Sequence, residues 1–484
     1  MSFRWDQRMP EEWPTVKPPP VWIYIVLYLV VEIVAVAIVL SGWQKGVPLA
    51  SEKFLHDAFV LPFPAWLTFC FVLHMGIYST PALETADHNR RRYFQATRWQ
   101  RELRSGVAVL DSVVLAPEPD LAVRMLGLEG EAPDNPGRVM AIEDLGARDT
   151  PRLQCVLIQL LTPLQPRLAK AIRTESFDIV IQAKGVELAA QVREVWKQME
   201  LPGTPRVRSL DTGRDPGFAE CWFEGDIQPA YRYASYNVDR TPKYRLLLAW
   251  HLNGEGADVE HKYSEAAVAL LLGSPALMRE GKPPKQQAWL LREITGGADE
   301  VDRSLSLLLD AGQVPRERIH HFWHSRLKGI AQHGTMGAVR ESGLKLDDHA
   351  LEQAVGPQAP VSRWLLQALA AKMAHFGQGP QLIALPHEQG VALNLVAREP
   401  APMDVPWKKE YGYAPVVGPE SGAFFSLWAF AMLISPNKEW DTAETIMTCG
   451  LVVFLIVCFV VRNFEVVKAA GERVMEFVAS VIGF

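Results

Sequence analysis

Long apolar stretches near both ends of the chain enclose a middle region in which apolar and polar positions alternate. Residues 21–43 carry almost no polar side chain, and a helix of this length can cross a hydrocarbon core of about 30 Å. Pro62 and Pro64 mark the start of the second stretch, and Pro81 disturbs its end. The pattern predicts four transmembrane helices, two N-terminal and two C-terminal, at residues 21–43, 63–83, 422–434 and 446–461.

Short β-rich runs and amphipathic helical patterns alternate through residues 107–396. Residues 177–182 read as a buried strand, and residues 381–385 and 391–396 as a closing strand pair. Residues 153–161 form a further apolar run, and Asp347 is predicted to cap the start of a helix. The alternation predicts a layered α/β domain.

Composition then divides the rest of the chain. Residues 397–421 hold five prolines and read as a linker, whereas residues 463–484 mix apolar and charged positions like an amphipathic helix on a membrane or a partner. Continuation of the fourth apolar helix is the other interpretation of this tail. The predicted order is 1–20 N-terminal cytoplasmic segment, 21–84 transmembrane pair, 85–106 basic juxtamembrane segment, 107–396 α/β domain, 397–421 linker, 422–462 transmembrane pair and 463–484 tail.

A cluster of six arginines directly follows the second apolar segment. Basic residues beside a membrane segment favour its cytoplasmic side, so both termini and the middle domain are predicted to be cytoplasmic in a multi-pass protein of a bacterial inner membrane. Nucleic-acid binding is the competing interpretation, but the net charge of −6 and the absence of a nucleic-acid-binding signature argue against that partner. The cluster comprises Arg90, Arg91, Arg92, Arg98, Arg101 and Arg104.

Two ionisable residues fall inside the first two apolar segments, Glu32 and His74. Charge is costly in lipid, so such residues pair with each other or mark an ion pathway. We interpret them as a hydrogen-bonded polar pair that joins the two helices. A proton or ion relay in a small transporter or channel is the alternative.

The middle domain resembles β-ketoacyl synthases in the order and spacing of several segments. Residues 263–273, Tyr-Ser-Glu-Ala-Ala-Val-Ala-Leu-Leu-Leu-Gly, resemble the strand that ends the N-terminal half of those enzymes. Residues 317–325 stand where the family has a strand ending in its first catalytic histidine, here His324, and residues 381–396 resemble the closing strands. The resemblance implies a thiolase-like fold over residues 107–396.

The chemistry of that family does not carry over to this sequence. A condensing enzyme needs a thiolate nucleophile and two histidines that assist it. Cys221 is the one cysteine near the required region, but its neighbours are bulky, and residues 356–360 hold no second histidine. No catalytic residue is therefore predicted. Cys221 and His324 are the only candidates, each weighed against an ordinary structural role.

The remaining clusters predict neither a metal nor a cofactor. The five cysteines form no CxxC pair, which argues against a metal knuckle or a disulfide framework. His320, His321, His324 and His333 are close in sequence, but no carboxylate or cysteine stands at a familiar ligand spacing.

The preferred function is a membrane-anchored, catalytically inactive thiolase-like protein that works by binding another protein. Degenerate ketosynthase-like proteins resemble accessory components found with bacterial type VI secretion effectors, which implies an accessory or immunity role. Thiolase-like folds often pair through a central strand, which implies a homodimer. The alternatives are an acyl-transferring enzyme that uses Cys221 and His324, and a transporter that uses Glu32 and His74.

Overall fold

The computed structural model divides the chain into two compact units. The sheet unit comprises Met1–Arg8 and Thr97–Asp404, and the helical unit comprises Met9–Ala96 and Val405–Phe484. The structure describes residues 3–43, 48, 51–143, 151–174, 176–182, 186–209, 242–254, 261–388, 390–413, 418–434, 442, 444–446, 448–450 and 453.

Two helical stretches of the helical unit are long and apolar enough to span a membrane, Trp22–Gly42 and the run Glu52–Leu103. The first is helix α1. The second run contains two π-helical turns, each just before prolines, where a wider turn accommodates a residue that has no N–H to donate. Its parts are α2 (Glu52–Leu55), a π turn (His56–Val60), α3 (Pro62–His74), a π turn (Met75–Ser79) and α4 (Thr80–Leu103).

The run differs from the predicted second segment at both ends. It begins at Glu52 instead of residue 63, and it continues through Pro81 into the basic segment without a break. Five of the six arginines of the cluster therefore lie on α4, and Arg104 directly follows its last residue.

The sheet unit contains eleven strands in its described part, joined in one mixed sheet. The sheet order is β3-β2-β4-β5-β1-β6-β11-β10-β8-β9, and β7 pairs with β11. The strands are β1 (Gly106–Leu115), β2 (Phe177–Gln182), β3 (Arg206–Ser209), β4 (Tyr244–His251), β5 (Ala266–Gly273), β6 (Ala288–Leu291), β7 (Ile294–Gly297), β8 (His321–His324), β9 (Asp347–Ala350), β10 (Gln381–His387) and β11 (Gly390–Ala397).

The sheet consists of two halves with the same internal order. When β6 and β7 are counted as one interrupted strand, each half has five strands, numbered here by their order in the chain. From the outer edge of the sheet to its middle, the strands of each half lie in the order third, second, fourth, fifth, first. In each half the fifth strand is antiparallel to its neighbours, and the second, third and fourth strands are parallel. The first strands, β1 and β6, join the halves through an antiparallel pairing that runs from Gly106↔Leu291 to Val109↔Ala288.

Helices cover the sheet because parallel strands need crossover connections. Amphipathic α6 and α8 pack on each other, and α6 packs against β1 and β5. The helices are α5 (Leu121–Met125), α6 (Arg152–Leu161), α7 (Gln165–Thr174), α8 (Val186–Gln198), α9 (Pro275–Met278), α10 (Val301–Asp310), α11 (Gly329–Glu341), α12 (Leu351–Val355) and α13 (Ser362–His375), with a 3-10 turn at Arg316–Arg318.

Helix α13 is buried along nearly its whole length and contacts strands of both halves, β1 and β5 as well as β8, β10 and β11. A helix that is buried on all sides belongs to the interior of a layered domain. It centres one apolar cluster, and two further clusters lie under the outer helices of the two halves. The mixed sheet with helices around it agrees with the predicted layered α/β class.

After the sheet unit, the chain continues in the helical unit with a 3-10 turn at Lys409–Gly412 and the helix α14 (Gly418–Ile434). Helix α14 packs on α3, where Thr68 Oγ1 donates to Ser426 Oγ over 2.9 Å and Gly422 faces the Phe71 ring. Small residues of this kind allow close helix packing. The fourth predicted span and the tail lie mostly outside the described residues.

One local prediction was wrong. Asp347 does not cap a helix but begins β9, because it pairs in parallel with β8. The apolar run at residues 153–161 is helix α6, and within residues 317–325 the strand is β8, which begins at His321. Short apolar runs do not distinguish a buried strand from a buried helix.

Candidate functional site

A polar cleft of about 480 Å³ lies where three parallel strands of the second half end. Three of its lining residues stand at or next to these ends: His324 is the last residue of β8, Ala350 is the last of β9, and Pro386 precedes the last of β10. The carboxyl ends of parallel strands are the usual ligand-binding edge of an α/β sheet. We call this cavity the histidine cleft.

His324 is buried, at 7% exposure, and its ring lies close to that of Phe322. Its Nε2 is 2.9 Å from Asp348 Oδ1, but the two groups are not aligned for a hydrogen bond, so Nε2 has no hydrogen-bond partner among the described residues. Asp348 thus places a negative charge beside the ring, while the hydrogen-bonding capacity of Nε2 is not used by the described residues.

The turn after β8 is held in an unusual conformation. Ser325 Oγ and the Arg326 backbone N–H both donate to Glu352 Oε1 over 2.7 Å, which ties the end of β8 to α12. Arg326 has φ +58°, in the left-handed region that few residues other than glycine adopt. Lys328 follows two residues later and is exposed.

The opposite wall comes from the segment before α13. Gly356 has φ +69°, and a side chain there would collide with the Arg138 carbonyl, so only glycine fits. Gln358 is buried at 3% exposure; its amide donates to the carbonyls of Val355 and Gly356, while its Oε1 accepts no hydrogen bond from the described residues.

A buried carboxylate anchors the segment that carries Pro136 and Gly137 into the cleft lining. Glu265 is fully buried and accepts two bonds from Arg152, at 2.7 and 2.6 Å, with one each from the backbone N–H groups of Ile142 and Asn253 at 2.8 Å. Next to it, Ser264 Oγ accepts from the Met140 backbone N–H. These contacts pin residues 138–142 to the start of β5.

The lining of the histidine cleft contains one histidine and, among the described residues, no cysteine, serine or threonine. Acyl transfer needs a nucleophile within reach of a base. Arg326 and Lys328 line the cleft, and their side chains form no ion pair within the described part of the chain. Glu352 is the one carboxylate in the lining, and its Oε1 is already bonded. The cleft thus offers cationic and neutral polar groups.

A histidine pair lies beside the cleft and not in its lining. His321 Nδ1 and His349 Nε2 are 3.1 Å apart across β8 and β9. Burial, together with the neighbouring His321, lowers the pKa of His349 to about 4. Burial likewise lowers the pKa of His321. Both rings are therefore neutral near pH 7, and no group of metal-ligating side chains forms among the described residues.

The predicted site residues are dispersed. His324 lines the cleft, whereas Cys221 lies outside the described residues. Glu32 and His74 do not form the predicted hydrogen bond: His74 Nδ1 is 2.7 Å from the Tyr24 hydroxyl, and both carboxylate oxygens of Glu32 are buried without a described partner. A position inside an apolar segment does not fix such a contact, because contacts between helices depend on which face each helix turns towards the other.

Several arginines of the basic cluster have intrahelical partners. Arg90 and Arg91 both pair with Asp87, at 2.6 and 2.7 Å, and Arg98 pairs with Glu102 at 2.9 Å.

The sequence analysis did not predict Gln358, Arg326 and Lys328 as cleft residues. Gln358 lies in the segment inspected for a second histidine, so a search for any polar side chain there, instead of histidine alone, would have found it.

No family model matches this sequence, and no curated protein matches it. Solved structures similar to the chain include a type II polyketide ketosynthase, AntDE, in complex with its acyl-carrier protein AntF, at 14% identity and TM-score 0.40, covering 60% of this chain and 99% of that one. The oxazolomycin ketosynthase domain OzmH of Streptomyces albus JA3453 matches at 11% identity and TM-score 0.40, covering 63% and 98%. A variant of OleA from Xanthomonas campestris matches at 10% identity and TM-score 0.35, covering 61% and 99%.

Proposed function

We propose that this chain is a membrane-anchored, thiolase-like protein that acts by binding another protein and not by acyl transfer. The observation that carries the proposal is the composition of the histidine cleft. Its described lining combines His324 with arginine, lysine, glutamate and glutamine side chains and includes no cysteine, serine or threonine. A pocket of preformed polar groups whose described lining lacks these three usual acyl-transfer nucleophiles is suited to recognition.

The anchoring part of the proposal rests on the helical unit. Trp22–Gly42 and the run Glu52–Leu103 have the length and composition of membrane spans, and the six arginines of the basic cluster follow the second apolar stretch. We propose that the sheet unit and both termini are cytoplasmic in a bacterial inner membrane. The further assignment, an accessory or immunity component of a bacterial secretion system that works as a homodimer, rests on the resemblance in sequence.

The test compares Cys221→Ser with Cys155→Ser as a matched control, in the full chain purified in detergent. Incubation with a long-chain acyl-CoA should add no acyl mass to the wild-type protein, and both variants should retain the same co-purifying protein as the wild type. An acyl adduct on Cys221 would overturn the proposal. Identification of the retained protein as an effector or a secretion component tests the secretion assignment, and light scattering of the purified chain tests the dimer.

The enzymatic alternative is favoured by one observation, the buried His324 at a strand end beside Asp348. An acyl-transferring enzyme of this design would lose activity on His324→Ala and on Cys221→Ser to the same degree, because nucleophile and base act together. Unequal losses, or none, would exclude it.

A further inference from the structure

Two buried polar atoms of residues that line the histidine cleft form no hydrogen bond with the described residues, His324 Nε2, which lies 2.9 Å from Asp348 Oδ1, and Gln358 Oε1. Both residues are more than nine-tenths buried, at 7% and 3% exposure. Burying a polar group without a hydrogen bond is costly, so two such atoms in one cavity indicate that a ligand completes them. An amide oxygen accepts hydrogen bonds, so Gln358 Oε1 requires a donor, and an imidazole nitrogen either donates or accepts one.

The charges in the cleft specify the ligand further. Arg326 and Lys328 have side chains without an ion-pair partner in the described chain, and each can bind a carboxylate. The left-handed backbone of Arg326 is fixed by its N–H bond to Glu352, so the chain tolerates local strain at this position. Strain of this kind persists where the surrounding structure enforces it.

A peptide with an acidic side chain meets these three needs together. Its backbone offers an N–H group for Gln358 and both an N–H group and a carbonyl for His324, and the acidic side chain offers a carboxylate for Arg326 or Lys328. A simple fatty acid or dicarboxylic acid has no N–H and would leave Gln358 without a donor. The clasp around Glu265 holds the lining at Pro136 and Gly137 in place, so little ordering is needed on binding.

We infer that the histidine cleft binds an acidic peptide segment of a partner protein, with its carboxylate on Arg326 and Lys328 and its backbone on His324 and Gln358. The inference rests on the proposed function and specifies the kind of segment that the partner presents. The recognised chemistry is a carboxylate side chain within a continuous peptide.

The experiment uses the full chain in detergent micelles and two fluorescein-labelled, C-terminally amidated peptides, Gly-Ser-Asp-Gly-Asp-Ser-Gly and its counterpart with both aspartates replaced by asparagine. Fluorescence anisotropy at low salt measures binding. We expect the acidic peptide to bind roughly tenfold more tightly than the neutral one, because two charge-assisted contacts are added.

Four variants locate the binding. Lys328→Glu should weaken the acidic peptide roughly tenfold or more, whereas Lys345→Glu, an equal charge change at an exposed residue outside the cleft, should leave it within about twofold. Arg326→Gly keeps the left-handed backbone accessible and should weaken only the acidic peptide. Gln358→Leu should weaken both peptides equally. Unchanged thermal transitions show that each variant is folded.

Equal binding of the two peptides, equal effects of Lys328→Glu and Lys345→Glu, or no binding of either peptide at millimolar concentration would overturn the inference. None of these results concerns acyl transfer, so the proposed function would stand if the partner is still retained. An acyl adduct on Cys221 would instead remove the proposed function itself, whatever the peptides do.

Discussion

The Glu265 clasp allows a quantitative prediction about the histidine cleft. Glu265 has no exposed surface and accepts four hydrogen bonds, whereas Arg152 is 28% exposed. In Glu265→Gln, one oxygen remains as an acceptor and the new NH₂ group faces donors. One buried backbone N–H, of Ile142 or of Asn253, therefore loses its acceptor.

The cost follows from the number of bonds and the exposure of each partner. An orphaned buried N–H costs about 1–3 kcal/mol, whereas the partly exposed Arg152 recovers some solvation in water. Breaking a fully buried ion pair costs about 3–5 kcal/mol, so a value near the lower end, about 3 kcal/mol, is expected here. Local opening of residues 138–142 should become about 100-fold more frequent, since about 1.4 kcal/mol corresponds to a factor of ten.

Amide hydrogen exchange, followed by mass spectrometry of peptides that cover residues 138–143 and 250–254, measures this opening in the full chain. Glu280→Gln is the matched control, because the Glu280–Lys243 pair is about 35–42% exposed and such pairs contribute little. Exchange that accelerates less than about fivefold in Glu265→Gln, or equally in both variants, would refute the clasp as the support of the cleft lining.

Three further predictions follow from other parts of the chain. The pKa of His349 is about 4 in the folded state against 6.5 for an ordinary histidine, so its contribution to stability is present above pH 6.5 and is lost as the pH falls towards 4. Between pH 7 and pH 5 the wild type should lose about 2 kcal/mol of unfolding free energy that His349→Gln does not lose, measured by urea unfolding at both pH values. Equal losses in the two proteins would contradict this. Gly422→Leu should disrupt the packing of α14 on α3, and Phe71→Ala should restore it, measured as thermal stability in detergent; a stable single variant would argue against this packing. A reporter inserted near Gly254 should be active only as a cytoplasmic reporter and one near Lys45 only as a periplasmic reporter, and the reverse pattern would overturn the topology.

Patterns that depend on neighbouring residues could be predicted from the sequence. The apolar stretch at residues 21–43 and the alternation from residue 107 to 396 depend on local hydrophobicity, and they correspond to helix α1 and to the mixed sheet with its helices. The strand pair at the end of the domain is β10–β11 because a short turn joins two apolar runs. The resemblance of the sequence around residues 317–325 to β-ketoacyl synthases placed His324 at the end of a strand, and His324 is the last residue of β8.

Contacts between distant segments were decided only by the tertiary structure. Asp347 had the local features of a helix cap, but pairing with β8 made it a strand residue. Glu32 and His74 fall inside the first two apolar segments, but His74 contacts the Tyr24 hydroxyl because of the face that each helix turns towards the other. Gln358, Arg326 and Lys328 share a cleft because residues 356–361 and the turn after β8 meet where parallel strands end. Such meetings depend on strand order and on the sum of long-range packing, which local hydrophobicity and propensity do not encode.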